Sequence, residues 1–240
     1  MAGHSHWHSI RYKKEIEDKK RAKIFSKIAR QILIAAREGK NSETNPKLRM
    51  AIERAKEFNM PNERIERAIK RGAGEIEGEK LEEVIFECLG PGNVAIILEG
   101  ITDNKNRTLS EIKQILQKEG GKLAEEGSLR WQFKRMGVIK INIKDQQKKP
   151  QDIELLSIDL GAQDLKYRNS FLEIYTLPEN LEEIKNKLEE EGIIIESSQP
   201  EWVPEHEIEV SEKDKEACKK LFLTLDENDA IQEIYSNLKL

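Results

Sequence analysis

Cysteine is nearly absent from this sequence: 240 residues hold two, Cys88 and Cys218, with no CxxC spacing. That pattern excludes a disulfide framework or a thiolate zinc site and leaves two small thiols suited to burial. Aromatic residues make up only 5%, and the strand-like segments display Lys140, Asn142, Tyr167 and Tyr175 without the paired aromatics on which an RNA-recognition sheet stacks bases. Long apolar runs are missing as well. No window approaches the roughly 18 consecutive apolar residues of a membrane span, and the polar, histidine-bearing start does not read as a secretory signal. A soluble, cytoplasmic protein is expected. Catalytic signatures are equally lacking: there is no nucleophile elbow, phosphate loop, HExxH or kinase set. The Gly-Ala-Gly string at 72–74 follows a helical pattern rather than a strand, so it is no dinucleotide loop. Carboxylates cluster as Glu125-Glu126 and Glu189 to Glu191, the pattern of solvated faces. No catalytic residue and no cofactor are expected.

Charge is what the chain has in abundance, 36% of residues against 37% hydrophobic. Residues 1–80 hold 20 Lys+Arg against 12 Asp+Glu, while the remainder holds 21 against 33. Such asymmetry points to a basic module facing a polyanion, joined to an acidic body kept away from the same phosphates. The opening stretch concentrates the signal, with Arg11, Lys13, Lys14, Lys19, Lys20, Arg21 and Lys23 set beside His4, His6, Trp7 and His8. On an extended strand His4, His6 and His8 fall on one side, a spacing that suits a divalent metal. No nearby carboxylate or cysteine completes such a set, so no functional metal site is expected. Two readings remain open side by side: stacking of Trp7 on a base with donation from protonated His6 to a phosphate, and a packing role in which Trp7 pins the arm to the bundle.

Periodicity organises the rest. Residues 16–38 read as one helix ended by Gly39, with Ile24, Phe25, Ile28, Ala29, Ile32, Ala35 and Ala36 on one arc at ~100° per residue. Lys19, Lys20, Lys23, Lys27, Arg30 and Arg37 gather on the opposite arc, expected to face outward. Leu33 and Ile34 lie outside the apolar arc and predict contact with something further. Asn45 and Pro46 start a second helix, and a third carries Ile65, Ala68 and Ile69 up to Gly72. From Glu83 the pattern turns to strands: Val84 to Leu89 and Val94 to Glu99 as a hairpin, a helix from Asp103 to Glu119, then a strand from Ser128 to Lys134. Residues 137–199 give the ferredoxin-like βαββαβ order, with strands Val138 to Ile143, Asp164 to Arg168, Phe171 to Thr176 and Ile193 to Ser198. The chain closes with a strand at Glu207 to Val210, a helix at Glu212 to Leu225 and a strand at Ala230 to Tyr235. The expected fold is therefore α+β and multidomain. A three-helix bundle (1–80) precedes two α/β-sandwich domains, with 136–205 inserted into a discontinuous domain built from 81–135 and 206–240. At the start of the helix after Asp103, the free N–H groups together with Lys105 and Arg107 make a second candidate anion contact, with Thr102 or Asp103 as the helix cap.

Several strings also carry a resemblance: MAGHS-x-W-x-x-I, KR-x-KIF-x-K, AAREG, NP-x-LR-x-AIE-x-AK, NMP, IERAIKRG, GPGNVAIILE, TDNKNRT and GS-x-x-W-x-F. Together they resemble the YebC family nearly end to end. The resemblance implies a non-enzymatic regulator of transcription that binds DNA. A mitochondrial relative, a translational activator of cytochrome c oxidase, implies the alternative of a factor on the ribosome contacting ribosomal RNA or tRNA, and a protein adaptor is a more distant reading. The residues expected to meet nucleic acid are His4, His6, Trp7, Arg11, Lys13, Lys14, Lys19, Lys20, Arg21, Lys23, Lys27, Arg30, Lys105 and Arg107.

Overall fold

The structure is a computed structural model that describes residues 18–78 and 80–239, with side chains from Arg21 onward. Three helices come first: α1 (Asp18–Ala36), α2 (Pro46–Glu57) and α3 (Asn62–Gly72). The apolar arc of α1 is buried as its periodicity indicates. Ile28 and Ile32 are enclosed with Leu48, Ala51 and Ala55 of α2 and with Ile65 and Ala68 of α3. Asn45 ties two helix ends together. Its Oδ1 accepts the Leu48 N–H at 3.0 Å, and its Nδ2 donates to the carbonyls of Ala35 at 2.8 Å and Gly39 at 2.7 Å. One buried amide thus supplies orphan groups at the start of α2 and at the end of α1. Gly72 sits where α3 crosses α1 so closely that a Cβ there would meet the Leu33 carbonyl oxygen at 2.3 Å.

Strands β1 (Glu82–Leu89) and β2 (Ala95–Thr102) form the expected hairpin, antiparallel with Val84 opposite Gly100. Its turn passes through Gly92 and Asn93, both left-handed. Helix α4 (Lys105–Lys118) follows, then a two-residue strand β3 (Lys122–Leu123) on β1. Near the C-terminus come α7 (Glu212–Asp226) and β8 (Ile231–Ser236), which completes a sheet of order β3-β1-β2-β8. Leu33 of α1, off the main apolar arc, is buried with Leu81 and Ile101, and Ile34 packs against them. The second sheet holds β4 (Phe133–Asn142), β5 (Asp164–Arg168), β6 (Phe171–Thr176) and β7 (Ser197–Pro204), with α5 (Pro150–Asp159) and α6 (Leu181–Glu190) between them. Its order is β5-β6-β4-β7 with every pair antiparallel, the arrangement of a ferredoxin-like βαββαβ unit. Packing groups the chain into two compact units. Arg130–Val210 joins the residues from Tyr235 onward, and the bundle joins the first sheet through Leu129 together with Ser211–Ile234.

Three expected strands differ. Ser128 to Lys134 is a loop and a 3-10 turn, because the buried Glu87 carboxylate accepts the N–H groups of Gly127 and Leu129, each at 2.7 Å. Ladder pairing begins only at Phe133. Ile193 closes α6 instead of opening a strand: its N–H reaches the Leu188 carbonyl at 3.0 Å after left-handed Gly192. The backbone of Ile194 is then held on both sides by the Gln146 side chain, at 2.9 Å each way. At Glu207 to Val210 a single parallel bridge, Ile208 to Leu238, stands in place of a strand.

Candidate nucleic-acid interface

Within α1 the basic stripe divides. His4, His6, Trp7, Arg11, Lys13 and Lys14 lie outside the described residues, and Lys19 and Lys20 are placed only by their backbone in the first turns of α1. Arg21 is exposed. The expectation that the stripe faces outward fails at Lys27, which keeps only 7% of its surface and donates to both the carbonyl and Oδ1 of Asp226 at 3.0 Å. Lys23 donates to the Glu227 carbonyl and lies 4.0 Å from Asp229. Arg30 donates to the carbonyls of Ile101 at 3.1 Å and Asp229 at 3.0 Å. The physical reason is the end of α7, whose last carbonyls lack intrahelical donors and carry the negative pole of the helix. Lys23 and Lys27 supply what that end requires, and Arg30 serves the carbonyls of Ile101 and of Asp229 just beyond it.

Further exposed cations sit elsewhere in the bundle. On α3, Arg64, Arg67, Lys70 and Arg71 are all exposed, opposite the buried Ile65 and Ala68. The Arg64 guanidinium lies over the Phe25 ring, 5.6 Å from its centre, which fixes the stem without removing the charge from solvent. Arg37, Lys56, Arg67 and Arg71 make no ion pair among the described residues, whereas Lys40 pairs with Glu75 at 2.7 Å and Lys47 with Glu38 at 2.5 Å. The α3 cations were legible at i, i+3 and i+7 in Arg64, Arg67 and Arg71, yet the expected site residues omit them. Glu63 and Glu66 share the helix, so its charge is mixed.

At the second expected contact the cap of α4 is Asn104, not Thr102 or Asp103. Asn104 Oδ1 accepts the Arg107 N–H at 3.0 Å, and Thr102 instead shares a buried 2.8 Å hydroxyl contact with Thr108. Lys105 is exposed at the helix start. Arg107 is held between carboxylates, hydrogen-bonded to Asp103 and 3.8 Å from Glu111. Its hydrogen bond holds the Asp103 carboxyl below the usual range, with the charge of Arg107 and, more distantly, of Arg30 adding to the effect. Arg107 is therefore a weaker anion contact than its position suggests, because an incoming phosphate must compete with two carboxylates.

Chemistry of a nucleophilic kind finds no support in the cysteines. Burial pushes the thiols of Cys88 and Cys218 up to about 12, so neither ionises near neutrality. Among the described residues no group of three His, Cys, Asp or Glu side chains is placed to hold a metal ion. No described helix is long and apolar enough to cross a membrane.

Three N-terminal helices followed by two four-stranded antiparallel sheets define an α+β protein. Comparison with known proteins makes the assignment narrower. Residues 5–75 match the model of the TACO1/YebC protein N-terminal domain, and residues 81–238 match that of the TACO1/YebC second and third domain. The chain belongs to the TACO1/YebC family. It is 46% identical to a "Probable transcriptional regulatory protein" of Thermotoga maritima over all of this chain and 94% of that one. A relative of the same description from Halothermothrix orenii is 45% identical over 100% of this chain and 96% of its own. The crystal structure of a conserved hypothetical protein, Aq1575, from Aquifex aeolicus superposes with a TM-score of 0.87 at 42% identity, covering 98% of this chain and 96% of that one.

Proposed function

We propose that this protein is a non-enzymatic, cytoplasmic, nucleic-acid-binding regulator of gene expression, a transcriptional regulator of the YebC type acting on DNA. The observation that carries the reading is the exposed cation face of α3, Arg64, Arg67, Lys70 and Arg71, within the basic segment 1–80. The regulatory names of the relatives support it. Phosphate contacts of this kind give affinity and register without reading sequence. In this reading the basic segment 1–80 meets the polyanion, and the two α/β parts, 81–135 with 206–240 and 136–205, orient it toward transcription machinery.

A second reading is a translation factor that contacts ribosomal RNA or tRNA. Glu63 and Glu66 on α3 favour it, because a helix of mixed charge is poorly suited to burial in a DNA major groove and better suited to lying against an RNA surface. Crosslinking in cells followed by sequencing of the bound nucleic acid tests both. Recovery of promoter DNA supports the first reading, recovery of ribosomal RNA or tRNA the second, and recovery of neither above background contradicts the proposal.

A further inference from the structure

We propose that the outer face of α5, Leu155 and Ile158 with Tyr167 of β5 beside them, is a docking surface for a protein partner that offers a short amphipathic helix edged with lysine or arginine. The inference goes beyond the nucleic-acid reading and does not depend on it. Leu155 is 63% exposed and Ile158 56%. Three residues apart on one helix, they are neighbours on the same side of it. Tyr167 is half exposed on the edge strand β5. Its hydroxyl donates to Glu154, one turn before Ile158, so the ring borders the same patch.

The helix has no structural need of this face. Ile153 and Ser157 of α5 are buried, with Leu156 and Leu160 half-buried next to them, so its inward side is already complete. Leu155 and Ile158 add a second apolar side opposite, and a helix that is apolar all round is normally covered all round. Helix α6, which packs beside α5, supplies the contrast. Its Leu181, Ile184 and Leu188 are buried, and its exposed residues, Glu183, Asn186, Lys187, Glu189 and Glu190, are all polar. Of the eight large apolar side chains exposed among the described residues, three meet at the α5 patch. Clustering of this kind marks a contact site, whereas single exposed apolar residues do not.

Charge narrows the occupant. From Gln151 to Gln163 the chain carries Asp152, Glu154 and Asp159 and no Lys, Arg or His. Asp152 and Asp159 are exposed and make no ion pair among the described residues. Of the cations at the margin, Lys148 is taken by Glu191 at 2.6 Å and Lys166 lies 3.8 Å from Asp164, which leaves Lys149 just before the helix. An apolar pair inside a carboxylate rim repels phosphates and complements an apolar ridge flanked by cations. A second copy of this chain fits poorly, because two-fold pairing would set the same acidic rim against itself. Three side chains also cover far less than the ~800 Å² per partner of a stable complex, so the contact is a transient one.

The test uses the full chain and three labelled peptides of about 18 residues: a helix with leucines along one side edged by lysine, the same helix with glutamate for lysine, and the lysine peptide scrambled so that no apolar side forms. The first should bind and the other two should not. Leu155→Gln with Ile158→Gln should weaken binding of the first about tenfold and keep the thermal midpoint of the parent, because both sites are exposed. Asp152→Asn with Asp159→Asn should weaken it and flatten its salt dependence. Glu189→Gln with Glu190→Gln on α6 should leave it unchanged. The docking surface is overturned if the scrambled peptide binds as well as the first, if the Leu155 and Ile158 variant binds as tightly as the parent, or if the α6 variant is as defective as the Asp152 and Asp159 variant. A lowered midpoint in the Leu155 and Ile158 variant overturns it too, since that face would then be packed within the chain. If the parent sediments as a dimer and that variant as a monomer, the occupant is a second copy and the proposal fails. The nucleic-acid reading stands in each of these cases.

Discussion

Helices α1 and α3 belong to one bundle and carry basic stripes of similar density, yet the two stripes are put to opposite uses. Lys23, Lys27 and Arg30 of α1 turn inward to the end of α7 and to the loop around Asp229, whereas Arg64, Arg67 and Arg71 of α3 remain in solvent. A cation stripe opposite an apolar arc does not by itself define a surface. A helix in a small bundle has two sides to satisfy, and whichever neighbour presents unsatisfied carbonyls or a carboxylate captures the cations first.

The largest effect should come from the captured side. The side chains of Lys27 and Asp226 are 9% and 5% exposed and pair at 3.0 Å, so removing one partner breaks a buried ion pair. Lys27→Met alone should lower unfolding free energy by about 3–5 kcal/mol. Adding Asp226→Leu should recover most of that loss, an interaction that a double-mutant cycle by urea denaturation would read. Additive losses would mean that the pair is not coupled and that the comparison between the helices is false.

A somewhat smaller effect is expected where the two helices meet. Gly72→Ala puts a methyl group onto the Leu33 carbonyl at 2.3 Å and the Ala36 Cβ at 2.7 Å. Forcing the helices apart should destabilise by about 1–3 kcal/mol, measured as a fall in the denaturation midpoint. An unchanged midpoint would show that α3 can shift along α1, so that its exposed face is not fixed.

The smallest effect concerns Asp103. Its folded pKa lies below the unfolded value, so whatever it adds to stability is present above the ordinary carboxylate range and is lost as pH falls through the depressed pKa. Because the pair is exposed, salt should screen it. In NMR titration the Asp103 pKa should rise toward its ordinary value in Arg107→Gln. No change in that variant would remove the argument that Arg107 is already engaged by carboxylates.

Much of this arrangement was legible in the chain. The bounds of β5 and β6 follow directly from alternation between Asp164 and Thr176, and Asn45-Pro46 announces α2 because cap and first-turn proline act through local geometry. Leu33 and Ile34, off the apolar arc, correctly pointed to a second packing partner. What was not legible depends on distant residues. Asp226 is 199 positions from Lys27, and no periodicity in α1 signals it. The strand expected at Ser128 to Lys134 is displaced by Glu87, a carboxylate some forty positions earlier that takes the backbone donors a ladder would have used. The run Ile193 to Ile195 looks like a strand in composition, but left-handed Gly192 and the Gln146 amide hold it as a helix exit. At the candidate site the same limit applies: spacing showed which residues are charged, and only tertiary contacts showed which charges are left for a partner.

If α3 carries exposed phosphate contacts while the inward cations of α1 hold the fold, the salt dependence of binding follows the α3 cations. Arg64→Gln, Arg67→Gln and Arg71→Gln together, in the full chain, should change stability by only a few tenths of a kcal/mol per site. The slope of log affinity against log salt, on whichever nucleic acid the cellular crosslinking recovers, should fall by about two to three units. A variant that is folded and keeps the parent slope would contradict the claim and return the binding role to other parts of the chain.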